Sequence, residues 1–155
     1  SMIKKNSLVL LLFLLSFNLS FAKDINIQEN IDLSFKCKLV KKIIKNSEYN
    51  YQTFSANELD DKDLNEFKIE ATKPEKLFVE GLSLFLSKSD QLIVKVVNKD
   101  VVLFKAIDEE KSYSESAIIN RKSGELIHEI TRNIKSENSE KDIVFYSCTE
   151  KEKKV

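Results

Sequence analysis

Apolar and polar residues alternate with a period of two along much of this chain. The clearest stretch is 31–39, where apolar residues hold the odd positions and polar residues the even ones. This alternation is typical of a half-buried β-strand, because successive side chains point to opposite faces of a sheet. The same reasoning predicts further strands over 48–55, 66–71, 76–80, 92–98, 101–108, 113–121, 125–135 and 142–149.

The predicted strands are short and are joined by turn-forming residues. Asn, Asp, Ser and Lys hold most of the connections, and Gly124 marks the clearest hairpin. No helical pattern of about 10 to 15 residues alternates with the strands, which disfavours a parallel α/β sheet. The pattern predicts an all-β fold, an antiparallel meander of eight or nine strands closed as a small barrel. A two-layer β-sandwich is the alternative, and one short helix is predicted over 57–64.

The N-terminal region has a different pattern, that of an export signal. Two lysines precede an unbroken apolar stretch over 8–15, and the small residues Ser20 and Ala22 follow. This order predicts a secretory signal peptide, and the apolar stretch is shorter than the roughly 20 residues that a transmembrane anchor needs. We expect a signal helix over 1–22 that is not part of the fold, cleavage after Ala22, and a periplasmic or secreted protein.

The chain of 155 residues has the length of one domain. We expect a single all-β domain over 23–149 and a charged flexible tail over 150–155. Ser1 precedes Met2, and we interpret it as an addition to the natural chain. Basic and acidic side chains balance at 25 each, which removes the simplest argument for nucleic-acid binding, a clustered basic excess.

Two cysteines, Cys37 and Cys148, lie near the ends of the predicted domain. In an oxidising compartment an even number of cysteines favours a disulfide, and two cysteines permit one pairing. The bond would close a loop of more than a hundred residues, which the chain-entropy model values at about 4.7 kcal/mol. It would also place the first strand beside the last, as closure of a barrel requires. Free buried thiols are the alternative.

A histidine and an arginine on one predicted strand are candidate ligand-binding residues. By alternation His128 and Arg132 share a face with aliphatic side chains, which suits an anionic or amphipathic ligand. Tyr113 and Glu115, on the preceding strand, are expected to join them. In the alternative interpretation His128 is a satisfied core residue and Arg132 pairs with a local acid. A two-residue hairpin loop would place Glu115 opposite Arg132, and a three-residue loop would shift that pairing by one residue.

Patterns for metal binding and catalysis are weak. The acidic run at 60–66 begins like a calcium loop but lacks the glycine and glutamate that such a loop needs. Two cysteines and His128 match no zinc pattern, and no Gly-x-Ser-x-Gly sequence occurs. We expect no metal and no cofactor, and a hydrolase that uses His128 and carboxylates is the least favoured alternative.

Together these patterns predict a non-enzymatic exported β domain. We expect it to bind a small amphipathic or anionic ligand or a protein partner in the cell envelope, without nucleic acid and without stable membrane insertion. An interaction or structural module with a filled core and no ligand cavity is the alternative. A barrel with polar residues inside resembles the lipocalins. The resemblance is limited to the fold, because this chain shares no sequence motif with them.

Overall fold

The computed structural model describes residues 31–72, 76–88 and 92–151. The predicted signal segment, its expected cleavage point and residues 152–155 lie outside the described residues. The described elements are β1 (Ile31–Lys45), β2 (Gln52–Ser55), a 3-10 turn (Ala56–Glu58), β3 (Leu64–Thr72), β4 (Lys76–Glu80), β5 (Leu92–Val97), β6 (Val101–Asp108), β7 (Tyr113–Asn120), β8 (Glu125–Arg132) and β9 (Glu140–Glu150).

The strands form one antiparallel sheet that is nearly closed into a barrel. Its order is β4-β3-β1-β9-β8-β7-β6-β5, and β2 pairs with the far end of β1. Consecutive strands from β5 to β9 pair in turn, as a meander requires. Within the described residues the sheet ends at β4 and β5, and these two strands border one unsealed seam. The predicted all-β, barrel-like fold is confirmed.

The disulfide between Cys37 and Cys148 joins β1 to β9, and this prediction is confirmed. The two cysteines are direct partners in the strand register, with their Cα atoms 4.0 Å apart. The backbone N–H of Cys148 donates to the carbonyl oxygen of Gly124 at 2.8 Å. Gly124 has a φ of +80°, and a Cβ there would lie 2.3 Å from the carbonyl oxygen of Cys148. Only glycine permits this backbone approach beside the disulfide.

Buried apolar side chains from all sides of the barrel form one core cluster. Inward residues alternate along β1, β6 and β7, as the period of two predicts. The largest fully buried apolar side chains come from opposite walls and from the β4–β5 connection: Phe67, Phe104, Ile69, Leu77, Leu86, Ile119 and Leu126. Burial of this apolar surface is the main favourable contribution to folding.

The helix predicted over 57–64 is wrong. The segment contains the end of the 3-10 turn and then extended residues that lead into β3. The Asp63 Oδ1 atom accepts a hydrogen bond from the backbone N–H of Leu39 at 2.8 Å. The carboxylate therefore satisfies a strand donor where β1 bulges, and this tertiary contact overrides the weak helical pattern.

The second predicted strand begins later than its sequence pattern indicates. Residues 48–51 precede β2, because the side chain of Asn46 forms a turn. Its Oδ1 atom accepts hydrogen bonds from the backbone N–H groups of Glu48 and Tyr49, each at 2.8 Å. Side-chain bonds of this kind replace strand pairing with a turn.

Candidate functional site

The β7–β8 hairpin carries all four predicted ligand-binding residues. Its loop has four residues, 121–124, so Tyr113 lies opposite Arg132 and Glu115 lies opposite Ile130. The predicted two-residue and three-residue loops are both wrong. Asn120 explains the longer turn, because its side chain accepts two loop N–H groups and its carbonyl oxygen accepts the N–H of Gly124.

Glu115 is the centre of a buried polar cluster. Its Oε2 atom accepts a hydrogen bond from the Ser83 hydroxyl at 2.7 Å and lies 2.8 Å from Nε2 of His128. The Tyr113 hydroxyl donates to Oε1. Because an ionised carboxylate only accepts, Nε2 of His128 carries the proton of this bond. Glu115 and His128 are 2% and 4% exposed, so these four residues, the Glu115 cluster, are closed to solvent at their centre.

The contacts of Glu115 keep it charged despite its burial. Burial by itself raises the pKa of Glu115, but the hydrogen bonds from His128, Tyr113 and Ser83 outweigh it and leave the pKa below its ordinary value. Burial and the bond to Glu115 raise the pKa of Tyr113. At neutral pH the cluster therefore contains an ionised acceptor and a neutral phenol donor. Three donors compensate the desolvation of the carboxylate, as a buried charge requires.

Arg132 belongs to a separate ionic cluster. Its Nη1 and Nη2 atoms each lie 3.2 Å from Oδ2 of Asp142 on β9. Lys42 Nζ lies 3.9 Å from the same oxygen and 3.0 Å from Oδ2 of Asp61. Arg132 thus pairs with an acid, but that acid is Asp142 and not Glu115, because the four-residue loop moves Glu115 two positions along the ladder. The guanidinium is neutralised by Asp142, which weakens its attraction for an anionic ligand.

Lys42 enters this cluster through a bulge in β1. The register with β9 shifts between Leu39 and Lys41, so Lys42 lies opposite the buried Val144. The strict alternation seen before the bulge would point residue 42 outward. The sequence carries no signal for this bulge.

Ser83 comes from the segment that follows β4. We define its described part, residues 81–88, as the strap. Leu86 of the strap is fully buried, and the ring of Phe85 packs edge-to-face on Tyr113 with centroids 4.9 Å apart. Leu84 is 89% exposed. Sequence reasoning missed Ser83, because nothing in the pattern of this segment indicates which of its serines faces the barrel.

Exposed apolar side chains border the seam. Phe78 on β4 is 38% exposed and Ile93 on β5 is 49% exposed, and the exposed Leu84 lies in the strap, which follows β4 along the chain. A surface depression of about 200 Å³ beside β4 is lined by Lys68, Glu70, Phe78 and Glu80. A second depression, of about 320 Å³, is lined by Val40, Lys41, Ser123, Glu125, Phe145, Tyr146 and Ser147. Neither depression is lined by any of the four predicted ligand-binding residues.

The described residues contain no group of three or more His, Cys, Asp or Glu side chains able to hold a metal ion. Ser83 donates to Glu115 rather than to His128. In this arrangement the imidazole does not take the position of a base that activates the serine hydroxyl.

Among the helices of the described ranges, none has the length and apolar character to cross a membrane.

Comparisons of this chain with known protein families, with curated proteins and with solved structures find no match in any of the three. The disulfide is consistent with an oxidising compartment.

Proposed function

We propose that this chain is a non-enzymatic binding module that takes an extended segment of a partner protein along the seam between β4 and β5. The observation that carries the proposal is that β4, the strap that follows it and β5 each carry an exposed apolar side chain: Phe78, Leu84 and Ile93. The apolar side chains of the core are buried, and the carboxylate of Glu115 receives its hydrogen bonds from within the protein. Both facts favour a binding surface on the outside of the barrel.

The chemistry of the seam favours an extended peptide as the ligand. An unpaired strand edge offers backbone N–H and C=O groups that another strand can satisfy. The sequence of β5, Leu-Ile-Val-Lys-Val-Val, is rich in β-branched residues and has one charge, which is typical of a strand that accepts a neighbour. The depression beside Phe78 has two acidic residues and one basic residue, so the best partner segment combines an apolar anchor with basic neighbours.

We also propose that the module acts in the periplasm or outside the cell. The support is the export pattern of residues 1–22 together with the disulfide, which persists in oxidising compartments.

Photo-crosslinking tests the proposal. A photoreactive amino acid replaces Phe78 or Ile93 in the protein expressed in its own host. Ile118, on the outer face of β7 and 39% exposed, is the matched control. Positions 78 and 93 are expected to form adducts with the same extended segment of one partner. A synthetic peptide of that segment should then slow hydrogen exchange at the amides of β4 and β5.

Two results would refute strand binding at the seam. One is the absence of adducts at positions 78 and 93, and the other is an equal yield of the same adduct at position 118. Adducts that map to a folded surface of the partner, without slower exchange in β4 and β5, would count equally against it.

A small amphipathic ligand is a second candidate, and one observation favours it. Tyr113, Glu115 and His128 gather beneath the strap, where a ligand donor group and apolar body could replace Ser83 and Phe85. Native mass spectrometry of protein from its own host tests this candidate. A reproducible added mass that is lost in the Glu115→Gln variant would support it, and the bare polypeptide mass would reject it.

A further inference from the structure

The strap is a single turn whose side chains point to two sides. The N–H of Ser87 donates to the carbonyl oxygen of Ser83 at 3.2 Å, and the N–H of Leu86 donates to the Ser83 hydroxyl oxygen at 3.1 Å. Ser83, Phe85 and Leu86 contact the barrel, while Leu84 remains in solvent. One turn thus presents three anchors inward and one apolar side chain outward.

The strap begins at a fixed point beside the seam. Gly81 directly follows β4 and has a φ of +94°. A Cβ at this position would lie 1.9 Å from the carbonyl oxygen of Glu66. The positive φ and the close backbone approach make glycine necessary, so the chain leaves the β4 edge in one direction. The strap therefore starts at the end of the β4 edge, which borders the seam.

Ser83, the polar side chain that holds the strap, can leave the Glu115 cluster while its other members stay together. The carboxylate has three donors, from Ser83, Tyr113 and His128, and only Ser83 belongs to the strap. When the strap moves away, the buried charge keeps the two donors on β7 and β8. Opening therefore loses one hydrogen bond and the contacts of Phe85 and Leu86 without leaving an unpaired charge.

We propose that the strap gates the seam and that Glu115 is the positioning residue that holds the strap closed. A partner segment that contacts Leu84 and pairs with β4 or β5 displaces the strap from Tyr113 and Glu115. This inference rests on the proposed function, because the seam is the site that it regulates.

Hydrogen exchange on the free, full-length protein tests the gate. Ser83→Ala removes the donor to Glu115 and also the acceptor of the Leu86 N–H. Ser87→Ala is the matched control for the loss of a bond inside the strap, because its hydroxyl is exposed and bonds only within the strap. In Ser83→Ala the strap amides are expected to exchange at least about tenfold faster, the change that corresponds to loss of one hydrogen bond to a charged group. The amides of β4 and β5 should also exchange faster, and those of the β1–β9 ladder should not. Ser83→Thr, which keeps the hydroxyl, should restore slow exchange.

Two outcomes would overturn the gate. In the first, the strap amides of Ser83→Ala exchange at the wild-type rate. In the second, the strap amides exchange faster while the amides of β4 and β5 exchange at the wild-type rate. These measurements need no partner, so they are independent of the cross-linking at Phe78 and Ile93. If Ser83→Ala accelerates exchange as expected but no cross-links form at positions 78 and 93, the proposed partner site is refuted. If the cross-links form but Ser83→Ala leaves exchange unchanged, only the gate is refuted.

Discussion

The β1–β9 junction joins the first and last strands of the sheet, whereas the β4–β5 seam separates two consecutive strands, and the two are built differently. At the junction, backbone pairing continues from Phe35 to Lys45, and the Cys37–Cys148 disulfide crosses it. At the seam, the described edges lack backbone pairing, and the strap that follows β4 bonds to Glu115 on β7. The junction therefore has covalent and backbone-paired closure, which the described edges of the seam do not have.

The largest expected effect comes from removing the covalent closure of the junction. We expect Cys37→Ala/Cys148→Ala to lower the free energy of unfolding by about 2–5 kcal/mol, because the unfolded chain regains the freedom of a long loop. Urea unfolding of the variant and of the oxidised wild type measures the difference. Reduced wild-type protein should match the variant. A loss below about 1 kcal/mol would show that strand pairing alone holds the junction.

The next effect concerns the charge beneath the strap. We expect Glu115→Gln to lower the free energy of unfolding at pH 7 by about 1–3 kcal/mol, because a buried acceptor of three hydrogen bonds loses its charge. The matched control is Glu129→Gln on β8, whose partly exposed carboxylate pairs with Lys141 at 3.0 Å. That change should cost less than about 1 kcal/mol. If the two variants lose the same free energy of unfolding, the buried carboxylate of Glu115 stabilises the fold no more than an exposed one.

The stability difference between the wild type and Glu115→Gln is expected to depend on pH. The pKa of Glu115 is lower in the folded protein than its ordinary value of 4.5. Its stabilising contribution is therefore present above the ordinary pKa and is lost as the pH falls through the folded pKa. Urea unfolding from pH 7 down to pH 2 should show the difference between wild type and Glu115→Gln narrowing below about pH 4.5. A difference that widens in acid would contradict the assignment of an ionised Glu115.

A smaller effect is expected for the ion pairs of Lys42 at the junction. Lys42→Met removes contacts to Asp61 and Asp142 but leaves Asp142 paired with Arg132. We expect a loss of about 0.5–1 kcal/mol that shrinks at high salt, because the partners are partly exposed. Urea unfolding at low and high salt tests this. A loss that is independent of salt would point to packing of the Lys42 stem instead.

The smallest effect on stability is expected at the seam itself. Ile93→Thr keeps a β-branched side chain on β5 and removes exposed apolar surface, so the free energy of unfolding should change by less than about 0.5 kcal/mol. Binding of the cross-linked partner segment should nevertheless weaken. A stability loss above about 1.5 kcal/mol would mean that Ile93 belongs to the core, and the contrast between junction and seam would fail.

Much of the fold could be predicted from the sequence alone. The alternation along 31–39, the short strands with their turn residues, and two cysteines with one possible pairing determine the all-β class and the contact between first and last strands. They also place His128 on the inner face of its strand, where it is buried. These features follow from local patterns, because the side-chain period of a strand is a property of a few consecutive residues.

The partners of the candidate site were decided by tertiary structure. Asn120 sets a four-residue loop, and that register separates Glu115 from Arg132. The bulge in β1 turns Lys42 inward, and the strap brings Ser83 to a carboxylate 32 residues away. Side-chain contacts in turns and bulges select one register among several that the apolar alternation allows, and only the closed barrel brings distant donors to one buried charge.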